Sequence, residues 1–527
     1  MHRLLLRWAC LAGALLCTAP AWSLTTEQAR ALATGEVEAR IEALNAVLVG
    51  ADAKTVALIQ AMADDAVKFS DTAVYVMSDG KGHDPVTGAE VAVPETAEDV
   101  VNNNEMRSEL DTALASIKLF SPEVGVRAAA AKVLAGAPDP AKLPLVEKAA
   151  ATETDPAIQS QLAAIRAAML LGSNDSAQRL QAATSLGSTG TPATKTLLLD
   201  RQKTETEPRV KAAIADALVR IEQRLAWGER LGVVFTGVSL GSILLLVALG
   251  LAITYGLMGV INMAHGELMM IGAYATFVVQ NLFRAYLPGA FDCYIAVAVP
   301  FSFLAAGLVG AVMERSVIRF LYGRPLETLL ATWGISLMLQ QAVRSIFGAQ
   351  NVPVENPAWL SGGIAVMSNL TLPFNRIAII LFALLVLLGV AALIARTRLG
   401  LFVRGVTQNR KMAACMGVDT ARIDTYAFSL GSGIAGLAGC ALSQVGNVGP
   451  DLGQGYIVDS FMVVVLGGVG QLAGTVYAAL GLGVLNKLLE GWQGAVLAKI
   501  MVLVFIVVFI QKRPQGIFAM KGRSAEA

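Results

Sequence analysis

A series of apolar segments begins near Val233, and it constrains the fold of this chain more than any other feature. Most of the segments are long enough to cross the roughly 30 Å hydrocarbon core of a bilayer. Because a segment in lipid must satisfy its backbone hydrogen bonds internally, the sequence predicts an all-α, polytopic membrane helical bundle. Eight or nine spans are expected, since the seventh and eighth segments are short and interrupted by glycine. The predicted spans are 233–256, 267–283, 293–313, 327–347, 376–395, 425–445, 457–470, 472–489 and 495–511.

The residues before these segments have a different charge balance. Residues 24–228 carry 20 Lys and Arg against 28 Asp and Glu, a net charge of −8. Residues 229–527 carry 19 against 12, a net charge of +7. This division predicts an acidic water-soluble domain over 24–228, followed by a basic membrane domain over 229–527.

The first 23 residues have the pattern of a secretory signal peptide. Arg3 and Arg7 form a positive region, residues 8–17 are apolar, and residues 19–21 are Ala-Pro-Ala, a small-residue cleavage site. The apolar stretch is too short for a spanning helix, although a retained signal anchor is the alternative interpretation. We therefore expect the domain over 24–228 to be exported.

Recurring helix starts organise the exported domain. An N-cap residue with a following proline or small residue opens alanine-rich segments at 121–122, 155–156, 174–176 and 207–208. The apolar stripe of each segment needs a neighbouring helix to cover it, which predicts a HEAT-like repeat domain. An ordinary helical bundle is the alternative.

A β-hairpin is also predicted in this domain. Residues 73–76 and 85–87 flank the turn Asp-Gly-Lys-Gly at 79–82. Residues 187–196 superficially suggest a phosphate loop, but they lack the adjacent Gly-Lys-Ser/Thr that such a loop requires. We interpret the domain as a binding or docking surface.

The distribution of Lys and Arg predicts the orientation of the spans. Basic residues fill the loops near 315–324 and 396–424, and residues 512–523 of the C-terminus, whereas 349–375 and 446–456 contain none. Basic loops face the cytoplasm, which places the C-terminus inside and the start of the first span outside. That orientation agrees with an exported, periplasmic N-terminal domain.

Polar residues at the junction of the first two spans form one candidate site. Asn262, His265 and Glu267 lie in the segment Asn-Met-Ala-His-Gly-Glu. Such groups are costly at the membrane edge unless they pair or face a cavity, so the segment is either a gate or a helix-packing turn. One histidine beside one glutamate does not make a zinc site, so no metal is expected.

The long basic loop 396–424 is a second candidate site. It contains a helix-forming stretch that ends at glycine, which is more than a positive-inside anchor requires. We interpret it as a segment that a cytoplasmic motor contacts. The residues predicted to carry this coupling are Arg404, Asn409, Arg410, Lys411, Ala413, Ala414 and Gly417.

Glycine-rich sequence from 446 to 474 forms the third candidate site. Glycine inside apolar sequence breaks helices, and transporters place broken helices beside their substrates. The predicted helix breaks or gates are Gly449, Pro450, Gly467, Gly468 and Gly470. Nearby or similarly placed polar side chains either line a pathway or bond between helices; they are Gln340, Gln341, Gln444, Asn447 and Asp459.

In combination, these segments resemble the LivH-type permeases of ABC importers for branched-chain amino acids and urea. The resemblance covers residues from about 237 to 518. It rests on 262–267 with Gly-Ala-Tyr at 272–274, on 409–418 and on 465–474. Similarity to the urea permeases of the family rests on the exported extension and on residues 331–336, 340–344, 356–359 and 455–462.

The resemblance implies a permease subunit that forms half of a pathway for urea uptake. Uptake of branched-chain amino acids or short amides is the alternative, and a passive urea or amide channel is the alternative of another class. A channel, however, has no need of a long basic loop with helix-forming sequence. Loop 396–424 resembles the coupling segment that contacts an ATPase.

The resemblance also implies partners. A second, different permease would complete the pathway, two cytoplasmic ATPases would supply energy, and a periplasmic binding protein would deliver the substrate. The chain would lie in the lipid of a bacterial inner membrane. We expect it to need no cofactor, to bind no nucleic acid and to hydrolyse no ATP itself.

Overall fold

The fold is that of a computed structural model, which describes residues 24–48, 50–70, 73–78 and 80–518. The predicted signal peptide over 1–23 lies outside the described residues, as do Lys521 and Arg523. The chain divides into two compact units, and the boundary falls between Leu225 and Ala226.

The first unit consists of helices and one small sheet. Its helices are α1 (Thr26–Ala33), α2 (Val37–Leu48), α3 (Ala53–Ala63), α4 (Asn104–Lys118), α5 (Val124–Gly136), α6 (Leu143–Thr152), α7 (Pro156–Leu170), α8 (Ser176–Thr189) and α9 (Pro192–Thr204), with a 3-10 turn at Pro140–Lys142. The next helix, α10 (Pro208–Met258), contains the boundary between the units.

The sheet is antiparallel and lies between α3 and α4 in the sequence. Its strands are β1 (Val67–Phe69), β2 (Val74–Ser78), β3 (Lys81–His83), β4 (Glu90–Val91) and β5 (Glu98–Asp99), in the order β4-β3-β2-β1-β5.

The predicted hairpin is present as β2 and β3, but its second strand is Lys81–His83 and not 85–87. Residues 85–87 form a turn because the Asp84 side chain accepts a hydrogen bond from the Val86 N–H at 2.8 Å.

Capping side chains set several helix starts. Asp155 accepts from the N–H groups of Ala157 and Ile158, and α7 begins at Pro156. Asp175 accepts from the N–H of Ala177 at the start of α8. The segment at 121–122 differs, since α5 begins two residues after Pro122, at Val124.

Helix α9 was not predicted from the sequence. Its first residue is Pro192, and the Thr191 side chain accepts from the N–H of Thr194. This is the segment with the superficial appearance of a phosphate loop.

Two arginine–glutamate pairs with buried carboxylates, here called the clamps, repeat in the second half of the unit. Arg127 donates from Nε and Nη2 to the carboxylate oxygens of Glu153 at 2.8 and 3.0 Å. Arg179 donates in the same way to Glu205, at 2.9 Å for both bonds. The clamps lie 52 positions apart in the sequence. Such a period is what a helical repeat would give, and the HEAT-like assignment stays a prediction.

The second unit is a helical bundle with one two-stranded sheet. Its further helices are α11 (His265–Tyr286), α12 (Tyr294–Ser316), α13 (Pro325–Phe347), α14 (Phe374–Arg396), α15 (Arg398–Gln408), α16 (Arg410–Cys415), α17 (Thr420–Ser443), α18 (Leu452–Gly467), α19 (Leu472–Gln493) and α20 (Ala495–Lys512). Strands β6 (Gly363–Met367) and β7 (Leu370–Pro373) pair antiparallel, and 3-10 turns lie at Pro288–Cys293, Ile318–Phe320 and Ala358–Leu360.

The all-α membrane fold is confirmed. Among the described residues, six helices are long and apolar enough to cross a membrane: they lie in α10, α12, α14, α17, α19 and α20. Each of the nine predicted spans overlaps a helix, and the number that cross the membrane stays a prediction.

Helix α17 lies at the centre of this bundle. Of its apolar window, 83% is buried, against 17% for α14. Glycines allow its backbone to touch its neighbours: a Cβ at Gly272 of α11 would overlap the backbone of Gly436 of α17. The same holds for Gly439 of α17 against Met269 of α11. Helices α11 and α17 therefore pack against each other in direct backbone contact.

Candidate functional site

The site begins where α10 ends and α11 starts. Asn262 is fully buried, and its Oδ1 accepts from the Ala264 N–H at 3.0 Å, which helps to start α11. His265, the first residue of α11, is also fully buried, with Nε2 at 3.0 Å from the carbonyl oxygen of Val247. This segment is therefore fixed by polar contacts inside the bundle.

Glu267, two residues after His265, contacts α13. The Ser336 hydroxyl donates to Glu267 Oε1 at 3.0 Å, and the glutamate is only 1% exposed. One turn earlier on α13, the Thr332 hydroxyl accepts from the N–H of Met263 at 3.2 Å. Two successive turns of α13 thus contact the start of α11 through polar groups.

The next two turns of α13 contact the loop between α17 and α18. Gln340 donates from Nε2 to Asp451 Oδ1 at 2.8 Å, and Arg344 donates from Nη2 to the same oxygen at 2.6 Å. Gln340 also lies 3.4 Å from the carbonyl oxygen of Pro450. Two donors from one helix therefore hold the loop at Asp451.

These α13 residues share one face, because residues four apart in a helix lie above one another. We call this face with its partners the polar ladder. It consists of Thr332, Ser336, Gln340 and Arg344 on α13, with Glu267 and Asp451.

Several buried polar atoms at the ladder and its neighbourhood have no partner within the described protein. They are Asn262 Nδ2, His265 Nδ1, Glu267 Oε2, the Tyr274 hydroxyl and Arg344 Nε. A buried polar atom without a partner is costly, so a cluster of them needs an explanation. The group includes both donors and acceptors, which suits a solute that offers both.

Four of the eight predicted pathway residues, Asn262, His265, Glu267 and Gln340, lie in or beside the ladder. The other four lie elsewhere. Gln341 is exposed on another face of α13, and Asn447 is exposed next to the backbone pairing of Val352 with Val448.

Gln444 and Asp459 have their own partners. Gln444 Oε1 accepts from the Tyr294 hydroxyl at 3.1 Å. Asp459 lies 4.0 Å from Lys499.

Five residues of the ladder and its neighbourhood were not predicted as site residues from the sequence: Thr332, Ser336, Arg344, Tyr274 and Asp451. The four-residue spacing along α13 was a signal that could have found three of them.

The predicted glycine breaks lie at two turns. Gly449 packs against the side chain of Asn351, next to Pro450. Gly467 ends α18 against Gly474, and Gly468 and Gly470 have φ of +97° and +80° in the turn to α19. The left-handed backbone of this turn favours glycine.

The predicted coupling residues lie in a two-helix segment, α15 with α16. Asn409 accepts from the N–H of Met412 at 3.0 Å and so starts α16, and Gly417, with φ of +83°, follows its end. Arg410 pairs with Asp424 at the start of α17. Ala413 packs partly against the small core that α15 forms with α17.

The outward face of this segment is basic and apolar. Arg404, Lys411 and Ala414 are exposed. Among the large apolar residues, Leu401, Met412 and Met416 are exposed by 61%, 58% and 80%. An exposed patch of this kind, on a segment outside the spanning helices, is typical of a protein-contact surface.

No group of three or more His, Cys, Asp or Glu side chains that could hold a metal ion is found among the described residues.

A bundle of apolar helices long enough to cross a membrane, with buried polar side chains along one of its helices, is typical of a membrane permease. The chain belongs to the family described as "Branched-chain amino acid transport system / permease component", whose model matches residues 233–510, more than half of the sequence.

Relatives from several organisms agree with this assignment. The chain is 28% identical to the high-affinity branched-chain amino acid transport system permease protein LivH of Salmonella typhimurium, over 54% of this chain and 93% of the relative. It is 28% identical to the permease protein BraD of Pseudomonas aeruginosa, over 53% and 93%. A probable LivH of Methanocaldococcus jannaschii is 24% identical, over 52% and 88%. No solved structure is significantly similar to the chain.

Proposed function

We propose that this chain forms half of the transmembrane pathway of an ABC-type importer and that its cargo is urea. The observation that carries the proposal is the polar ladder, which follows α13 for about 18 Å from Thr332 to Arg344 at 1.5 Å per residue. Polar groups along a membrane helix are costly unless they pair or face a pathway. The ladder would line the route of the solute.

Urea matches the unpartnered atoms in chemistry. It is neutral, with one carbonyl acceptor and two amide groups that donate. Glu267 Oε2 would accept from an amide N–H, and Asn262 Nδ2 would donate to the carbonyl oxygen. A neutral solute also avoids the cost of moving an unpaired charge through lipid.

Branched-chain amino acids are the second candidate cargo. The LivH and BraD relatives are named for transport of these amino acids, and 93% of the length of each aligns with this chain. The ladder also contains Arg344 and Glu267, whose opposite charges would suit the carboxylate and ammonium of an amino acid.

The proposed complex contains a second, different permease, two cytoplasmic ATPases and a periplasmic binding protein. The α15–α16 segment would face the cytoplasm and contact an ATPase through its exposed basic and apolar face. The first unit would lie in the periplasm of a bacterial cell, after export by the signal peptide over 1–23. The C-terminus would be cytoplasmic.

The test is solute uptake into proteoliposomes that contain the assembled complex. We expect ATP-dependent uptake of labelled urea for which leucine does not compete. ATP-dependent uptake of leucine alone would replace urea by the second candidate. Urea uptake that needs no ATP would contradict the importer and favour a passive channel.

A matched pair of variants tests the ladder in the same assay. Glu267→Gln replaces the unpartnered acceptor by a donor, and we expect uptake to fall by roughly tenfold, the effect of one lost hydrogen bond to a charged group. Glu327→Gln makes the same change at an exposed glutamate near the start of α13, and it should leave uptake unchanged. Equal effects of the two would contradict a role for the ladder.

A further inference from the structure

Two carboxylates are buried where α12 ends and α17 begins. Glu314 is fully buried, and the Asp424 side chain is 3% exposed. A buried carboxylate needs a cation or several hydrogen bonds, because burial removes its hydration. Each of these two receives its partners from a different part of the chain.

Arg410 of α16 supplies the cation for Asp424. Its Nη2 contacts Asp424 Oδ2, and its Nη1 lies 3.4 Å from the other carboxylate oxygen. The guanidinium also lies over the ring of Tyr322, 4.8 Å from the ring centre.

Tyr322 and Thr425 connect this pair to Glu314. The Tyr322 hydroxyl donates to Glu314 Oε1 at 3.3 Å, and the Thr425 hydroxyl donates to Glu314 Oε2 at 2.6 Å. One polar network therefore joins α16 to the end of α12, the loop that follows it and the start of α17. We call this network the latch; its members are Arg410, Asp424, Tyr322, Glu314 and Thr425.

Helix α16 has few other attachments. It is six residues long and contains no fully buried residue. Ala413 contributes a partial apolar contact. The latch is therefore the main polar contact that fixes α16 against the spanning helices.

A displacement of α17 would be passed to the polar ladder through α11. Helix α17 touches α11 backbone to backbone at Gly436 and Gly439, and α11 carries Glu267. Packed backbones do not deform continuously, so a displacement of one helix is passed to the other.

We propose that Arg410 is a positioning residue that transmits displacement of α16 to α12 and α17 through the Asp424 carboxylate. The inference rests on the proposed function, since transmission requires a motor that moves α16. Arg410 touches no solute, and its role is exerted through Asp424. Loss of the latch should uncouple ATP hydrolysis from transport without preventing either assembly or hydrolysis.

The experiment compares variants of the assembled complex in proteoliposomes by the number of solute molecules imported per ATP hydrolysed. We expect Arg410→Gln to lower this ratio by roughly tenfold, within the range by which contacts along a coupling network act. Arg324→Gln is the matched control, because Arg324 is 65% exposed, pairs with the exposed Glu327 and belongs neither to the latch nor to the predicted coupling residues. Arg410→Lys, which keeps the charge, should restore part of the ratio.

A folding defect is separated from uncoupling by the double variant Arg410→Gln/Asp424→Asn. It removes the charges of Arg410 and Asp424 together, so Asp424 is not left as an unpaired buried charge, and the variant should assemble as well as the original chain. If the latch transmits displacement, the double variant stays uncoupled. Recovery of the ratio in the double variant would overturn the latch. Equal ratios for Arg410→Gln and Arg324→Gln would overturn it as well.

The outcome that would contradict the proposed function differs from the one that would contradict the latch alone. A complex of the original chain with no ATP-dependent uptake of urea or leucine would overturn the importer and the latch together. Normal uptake by the original chain with an unaffected Arg410→Gln variant would overturn the latch alone.

Discussion

Gln340 and Gln341 are neighbours in the sequence but lie in different surroundings. Gln340 is 6% exposed and donates to Asp451, whereas Gln341 is exposed. Successive residues of a helix point about 100° apart, so one faces the bundle and the other does not. The sequence offered both as pathway candidates because periodicity alone does not show which face has a partner.

Substitution of the two glutamines by alanine tests this difference. We expect Gln340→Ala to reduce uptake by about tenfold, because Asp451 loses one of its two donors from α13. Gln341→Ala should change uptake by less than about twofold, as exposed substitutions usually do. Uptake by both variants is measured with the assembled complex, after their amounts in the membrane are matched. A larger effect of Gln341→Ala would place the pathway on the other face of α13.

Helices α5 to α10 show how elements of the first unit are held together. In each clamp, the glutamate accepts from an arginine and from backbone N–H groups at the turn before the next helix. The clamp thus fixes both the spacing of two helices and the start of a third. Each arginine also donates to carbonyl oxygens five and six positions before it.

The clamps make the stability of the first unit depend on pH. Hydrogen bonds from Arg127 and Arg179 lower the pKa of Glu153 and Glu205 from 4.5 to about 2. Because these pKa values are lower in the folded state, the stabilisation is complete above about pH 5 and is lost as the pH falls toward 2. We expect the protection factors of amides in α7 and α10 of the full chain, which correct for the intrinsic pH dependence of exchange, to fall near pH 3.

Variants distinguish the loss of the clamps from other effects of low pH on the protein. Glu153→Gln/Glu205→Gln should lower these protection factors already at pH 7 and flatten their change between pH 5 and pH 3. The control is Glu147→Gln, since the pair of Glu147 with Arg166 is 45% exposed on both sides. If Glu147→Gln flattened the profile as much as the double variant, the clamps would not be the cause.

At the scale of the whole molecule, the charge pattern and the helices predict which segments face each side of the membrane. The turn between α11 and α12 is expected outside, and the α15–α16 segment inside. Two exposed free cysteines, Cys293 and Cys415, lie in these two places, while Cys440 is buried. Chemical labelling of Cys293 and Cys415 would measure the orientation of the chain directly.

A membrane-impermeant maleimide should label Cys293 in spheroplasts and Cys415 in inside-out vesicles. The chain would carry Cys10→Ser and Cys17→Ser, so that the signal region adds no label. Cys293→Ser and Cys415→Ser identify each labelled site. Labelling of Cys415 from the outside would reverse the predicted topology and place the α15–α16 segment away from any cytoplasmic ATPase.

The sequence by itself determined the membrane class, the positions of the apolar helices and several helix starts such as Pro156. These depend on residues close together in the chain, through local apolar length and side-chain caps. The small sheet was only partly predicted, because strands as short as β4 and β5 gain their stability from pairing with distant residues.

Only the tertiary structure decided which polar residues meet. Ser336 and Glu267 are 69 positions apart, and Gln340 and Asp451 are 111 apart. A sequence shows that a buried polar group needs a partner, but packing between helices selects that partner. For this reason the sequence predicted Glu267, Gln340 and Arg410 as functional residues, while Ser336, Asp451 and Asp424, their partners, became visible only in the folded bundle.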